Sequence, residues 1–203
     1  LEHRRQRQMC IRDRFFDNLV IAYNGEIYNF KEVRKKLISY GYQFKTNGDT
    51  EVVLKSYHKW GKSCEKYFNG MWAFVVYDKK NNNVYASRDR LGVKPLYFYK
   101  SKEQFIIASE IKGILPFFNK VIANRKEVIK FLIYGSQESK PQTLFKDIKR
   151  ILPGSYISLN LDKYKIISKK NISFKEVTKT RKINQKTFGD KNKLKNLIID
   201  APK

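Results

Sequence analysis

The chain has 203 residues, 41% hydrophobic and 14% aromatic, and carries 43 Lys and Arg against 19 Asp and Glu, a net charge of +24. That length suits one domain with a core, or one domain and part of a second. No apolar run reaches the roughly 18 residues of a membrane span, the first residues are too polar for a secretory signal, and Cys10 and Cys64 make no disulfide framework, so a cytoplasmic protein with no membrane partner is expected.

Residues 18–23 (NLVIAY) form a short β-branched run and read as a buried strand. Asn24-Gly25 should end it in a turn, because both residue types tolerate positive φ. Residues 30–40 place Val33, Leu37 and Tyr40 on one helical face, and Gly41 supplies a left-handed cap. Asp49 is placed to N-cap a helix over 50–60, with Val53, Tyr57 and Trp60 inward; Gly61 ends it. The period then changes. Stretches 71–77, 83–87, 96–99 and 104–108 read as strands whose links are too short for crossovers, so mostly antiparallel pairing follows. Asn124 can cap a helix over 125–134 that Gly135 closes. Pro153-Gly154 is a turn leading into a strand at 156–159, with a further strand at 164–168. Beyond residue 169 the sequence is rich in Lys, Asn and Thr and reads as a linker to 193; residues 194–199 look like the first turns of a new helix.

The charge excess is spread along the chain. It comes without an RNP aromatic motif, zinc-ligand spacing or a recognition-helix pattern, so nucleic acid is not an expected partner, although a basic binding module is the competing class. Four stretches carry more specific chemistry. In Asn24-Gly25-Glu26, a side-chain amide beside a glycine N–H is a suitable pair of donors for an oxyanion, and Glu26 could hold an ammonium group; a turn with one exposed acid explains the same residues. Asp49 could bind a ligand amine or simply cap its helix. Arg88-Asp89-Arg90-Leu91-Gly92-Val93-Lys94-Pro95 suggests an ion-pair network bracing a loop. Cys64 lies near no His in sequence and reads as a small buried hydrophobe, and His58 as a surface or packing residue.

Taken together, YNGEIYNFKEVRKKL, GYQFKTNGDTEVVLKSYHKWG, NGMWAFVVYD, RDRLGVKPLYFY and FIIASEIKGIL resemble, in order, the class II glutamine amidotransferase domain of the glutamine-hydrolysing asparagine synthetases. The likeness continues more loosely through NRKEVIKFLIYG and TLFKDIKRILPGSYISL. It implies an α+β fold, part of a four-layer αββα N-terminal-nucleophile hydrolase with mostly antiparallel sheets and its N-terminal strands missing. Asn24 and the Gly25 N–H would be the oxyanion hole. Glu26 and Asp49 would contact the α-ammonium of glutamine, which reverses the preference for Asp49 as a cap alone, since an ammonium buried without carboxylates is costly.

The family nucleophile is a cysteine at the mature N-terminus, followed by several tens of residues that include a carboxylate-gripping arginine. Here only fourteen positions separate Cys10 from Asn24, and Ile11-Arg12-Asp13-Arg14 follows Cys10. RRQRQMCIRDR also resembles a transposon-end sequencing adapter translated in one frame. Residues 1–14 are therefore expected to be non-native, Cys10 is not credited as catalytic, and the chain itself is expected to be inactive. The expected organisation is amidotransferase sequence over 15–169, linker over 170–193, and over 194–203 the truncated start of an ATP-dependent synthetase domain. The Ser-Gly-Gly-x-Asp pyrophosphate loop of that domain is absent. ATP and magnesium would belong to it, no cofactor or metal is expected in this chain, and the resemblance leaves a homodimeric parent open. Sister amidotransferases that close β-lactams or amidate polysaccharide precursors are the alternative.

Overall fold

The computed structural model describes residues 15–135, 140–163 and 165–170. Strands β1 (Phe15–Phe16) and β2 (Leu19–Ile27) are followed by helices α1 (Phe30–Ile38) and α2 (Asp49–Trp60) and a 3-10 segment, Gly61–Tyr67. Next come β3 (Gly70–Asp78), β4 (Asn83–Arg88), β5 (Tyr97–Lys100) and β6 (Phe105–Ala108). Helix α3 (Arg125–Tyr134), β7 (Ile148–Arg150), β8 (Ser155–Asn160) and β9 (Lys165–Lys170) complete the described order. Six strands form one sheet in the order β1-β2-β3-β4-β8-β9, and three form a second in the order β6-β5-β7. All these strand pairings are antiparallel, as the short links require.

Period-two alternation sorts the large sheet into two faces. On β3, Trp72, Phe74 and Val76 face one way and are fully buried. They join Ile21 and Ile27 of β2, Tyr85 of β4 and Tyr156 of β8 in a core that also takes Val33 and Leu37 of α1 and Val52 and Val53 of α2. The opposite face presents Ala73, Ala86 and Ile157, packed with Leu96, Ile151, Phe98 and Ile107 from the region of the second sheet. The layering is helices, large sheet, small sheet, an α+β arrangement with antiparallel sheets as expected.

Several local expectations are corrected. Asn24-Gly25 is not a turn: β2 runs through it, with Asn24 opposite Ala73 and Gly25 opposite Trp72. A Cβ at Gly25 would lie 2.3 Å from the Met71 carbonyl oxygen and 2.7 Å from Trp72 Cα. Close backbone approach, not positive φ, is the reason for glycine there. The chain turns two residues past Glu26, where Tyr28 N–H donates to Asn69 O (2.8 Å), and Asn29 bridges Tyr67 O (3.0 Å) and Asn69 N–H (2.9 Å). Helix α1 stops at Ile38, so Tyr40 is half exposed instead of inward; Gly41 does adopt the left-handed φ of +87°.

Helix α2 starts at Asp49 itself with Gly48 as its N-cap, and the hydrogen bonds that Asp49 accepts come from Tyr23 and Ile27 of β2. Asn124 precedes α3 without a side-chain cap, while Gly135 closes it in the αL conformation. Strands β1 and β7 were not anticipated: both are too short for a periodic pattern and exist through pairing to β2 and β5. The linker and new-helix readings beyond residue 170, and the adapter reading of residues 1–14, lie outside the described residues.

Candidate functional site

The site grows from one end of β2. Because Tyr28 N–H and Asn18 O bond to the β3 side, strand alternation turns the even-numbered residues' backbone groups toward β3 and those of Tyr23, Gly25 and Ile27 toward the other edge. Strand β1 covers that edge only as far as Val20. The Gly25 N–H and Ile27 N–H thus point the same way, two residues apart, along an edge without a paired strand among the described residues. The side chains of Asn24 and Glu26 project from the face opposite the helix layer, and both residues are exposed.

Asp49 comes to this edge from the first position of α2. Its Oδ2 accepts from the Tyr23 hydroxyl (2.7 Å) and from Ile27 N–H (3.0 Å). Of the four residues singled out in sequence, three are consecutive on β2, and the fourth is bonded across 22 residues to the same strand end. Tyr23 had not been singled out. Burial pushes its phenol far above the ordinary tyrosine range; the hydrogen bond and charge of Asp49 and then the charge of Glu26 add to this. The phenol therefore stays protonated and donates, and it lies within electrostatic reach of both carboxylates. The signal that could have found it was the alternation of β2 itself, which puts Tyr23 and Ile27 on the α2 side.

The loop after β4 lies beside the site, since Arg88 is opposite Ala73, which is opposite Asn24. What braces this loop is side chain to backbone, in place of the Arg–Asp pairing expected. Arg88 donates to the carbonyls of Lys94 (2.8 Å), Gly92 (2.6 Å) and Ile151 (2.8 Å). The Asp89 carboxylate accepts from Leu91, Val93 and Lys94 N–H. Arg90 reaches back to Phe68 O and Glu65 O and lies over the Trp72 ring; burial lowers its pKa, with Glu65 opposing. Cys64 is fully buried, and burial, then the charge of Glu65, push its thiol well up, which suits a packing residue rather than a nucleophile. His58 sits at the surface, its Nδ1 2.7 Å from the Tyr42 hydroxyl and its ring edge-on to Phe16. Cys10 lies outside the described residues.

Two antiparallel sheets with helices on one face define the class as an α+β protein, and one strand end of it gathers an amide, a glycine N–H and two carboxylates. Residues 5–171 match the family model described as a glutamine amidotransferase domain, and the chain belongs to that family. It is similar to two Bacillus subtilis proteins, asparagine synthetase [glutamine-hydrolyzing] 3, with 40% identity over 147 residues, and asparagine synthetase [glutamine-hydrolyzing] 1, with 33% over 142 residues. The matches cover 72% and 70% of this chain but 24% and 22% of those relatives, so the chain spans about a quarter of their length. In structure it is similar to a B. subtilis glutamine phosphoribosylpyrophosphate amidotransferase, with a TM-score of 0.50 at 19% identity, covering 77% of this chain and 30% of that one. That likeness shows the fold alone, the fold of the N-terminal-nucleophile amidotransferases.

Proposed function

We propose that this chain is the glutamine-binding part of a longer asparagine synthetase whose amidotransferase domain releases ammonia from glutamine and whose ATP-dependent domain uses it to amidate aspartate. The observation that carries the site reading is the carboxylate of Asp49. It is held at the β2 edge by the Tyr23 hydroxyl and the Ile27 N–H, on the side to which the Gly25 N–H also points. Asp49 and Glu26 hold the substrate ammonium. The Asn24 amide and Gly25 N–H receive the charge that develops on the side-chain carbonyl oxygen when a thiolate attacks it. The attack forms a γ-glutamyl thioester and expels ammonia, whose added proton comes through the free α-amine of the terminal cysteine; water then releases glutamate. ATP and magnesium act in the synthetase domain, and no step at this site uses them.

No described residue supplies the thiol, and Cys10 is not assigned that role, so the 203-residue chain binds glutamine without hydrolysing it. The assay is ammonia release from glutamine: the expected result is none above the background rate. Release that disappears on Cys10→Ala overturns this assignment. The names of the relatives favour aspartate as the acceptor over a β-lactam precursor or a polysaccharide sugar, the alternatives for an amidotransferase with the same glutamine site.

A further inference from the structure

We infer that Tyr23 is a positioning residue for the ammonium-binding carboxylate: its hydroxyl and the Ile27 N–H together hold Oδ2 of Asp49, leaving Oδ1 for the substrate. The inference rests on the glutamine reading of the site and adds a residue to it. A carboxylate on the first turn of a helix has ready partners in that turn's own unpaired N–H groups. Among the described residues Asp49 accepts from none of them, only from Tyr23 and Ile27. Its two hydrogen bonds among the described residues both come from β2 and both end on one oxygen. A lone backbone N–H fixes a carboxylate oxygen but leaves the group free to rotate about it. A second donor from a different direction removes that freedom.

Tyr23 is suited to this. Its ring packs against the core shared by the large sheet and α2, so the hydroxyl has a fixed origin. The phenol O–H is its single donor, and Asp49 takes it. Phenylalanine would fill the same space and leave the carboxylate with one tether. A simpler role is possible on chemical grounds, a clip that fastens α2 to β2 with no bearing on ligand. The two roles differ in what they do to ligands with and without an α-amino group.

The experiment follows the Gly25 and Ile27 amide resonances of the 203-residue chain while titrating L-glutamine, and separately 4-carbamoylbutanoate, which is glutamine without its α-amino group. The unsubstituted chain should prefer L-glutamine. Tyr23→Phe should weaken L-glutamine about tenfold, the worth of one hydrogen bond to a charged group, and leave the desamino compound unchanged. Asp49→Asn, which leaves only Glu26 for the ammonium, should reduce the preference further than Tyr23→Phe does. If Tyr23→Phe keeps the full preference, or weakens both compounds alike, Tyr23 is only a clip and the inference is overturned. If the unsubstituted chain itself shows no preference for the ammonium-bearing compound, the glutamine reading of the site fails, and the role of Tyr23 falls with it.

Discussion

Gly25 shows most directly how a residue's meaning depends on a neighbour the sequence does not reveal. Beside Asn24 it has the look of a turn residue, yet it lies in mid-strand, where the β3 backbone passes too close for any side chain. Gly25→Ala should therefore destabilise the domain by about 1–3 kcal/mol, the usual cost of overpacking, because the atoms it meets are backbone that cannot swing aside. Thermal unfolding of the variant against the unsubstituted chain measures this; an unchanged midpoint contradicts the close approach. The residues that the family motifs single out, Asn24, Gly25, Glu26 and Asp49, gather at one strand end. Strand alternation puts Tyr23 on the same face as Ile27, but its partner Asp49 is legible only once α2 packs against β2.

At the scale of the element, α2 is an unusual helix. Its residues Glu51 to Ser56 are all buried, which a polar and basic sequence does not announce. Two of the buried side chains are charged. Lys55 pairs with Glu51 and with the Gln43 carbonyl, under the rings of Phe16 and Phe44. Glu51 also accepts from the N–H groups of Lys45 and Thr46 and from the Thr46 hydroxyl. Burial works against the ionised form of Glu51, but Lys55 and these donors outweigh it and hold its carboxyl below the ordinary range.

A carboxyl whose pKa is depressed by folding stabilises the folded state above its unfolded pKa, and that stability is lost as pH falls through the folded value. Urea midpoints measured from pH 7 down to pH 3 should fall for the unsubstituted chain. For Glu51→Gln they should start lower at pH 7 and fall less. Lys55→Ala leaves a buried carboxylate without its cation and should cost about 3–5 kcal/mol at pH 7, read from the same denaturation curves. Helix α3 is the opposite case: Asn124 and Gly135 bound it correctly in sequence, but it buries no residue, and Leu132, Ile133 and Tyr134 are largely exposed. Its apolar residues do not disclose this, because composition records hydrophobicity and not whether anything covers it.

For the whole molecule, the tie between the parts is Arg88. From the last position of β4 in the large sheet it spans the 88–95 loop and reaches the Ile151 carbonyl, in the segment that leads from β7 to β8. Only a planar fork with several donors makes these bonds at once. Arg88→Lys should cost on the order of 3 kcal/mol, and it should raise amide exchange at Gly92, Lys94 and Ile151 together, which hydrogen exchange would show; an effect confined to one of them would mean the loop is not held as a unit.

The sequence by itself determined the family, the strands and helices with strong periodicity, and the antiparallel pairing, because these depend on local pattern and on links too short for any other connection. Tertiary structure decided the rest. It converted an apparent turn into a strand, bonded the Asp49 carboxylate to the end of β2 through Tyr23 and Ile27, and divided the strands between two sheets. Each of these turns on which backbone or side chain lies across a contact from a residue distant in sequence, and a local pattern holds no record of that distance.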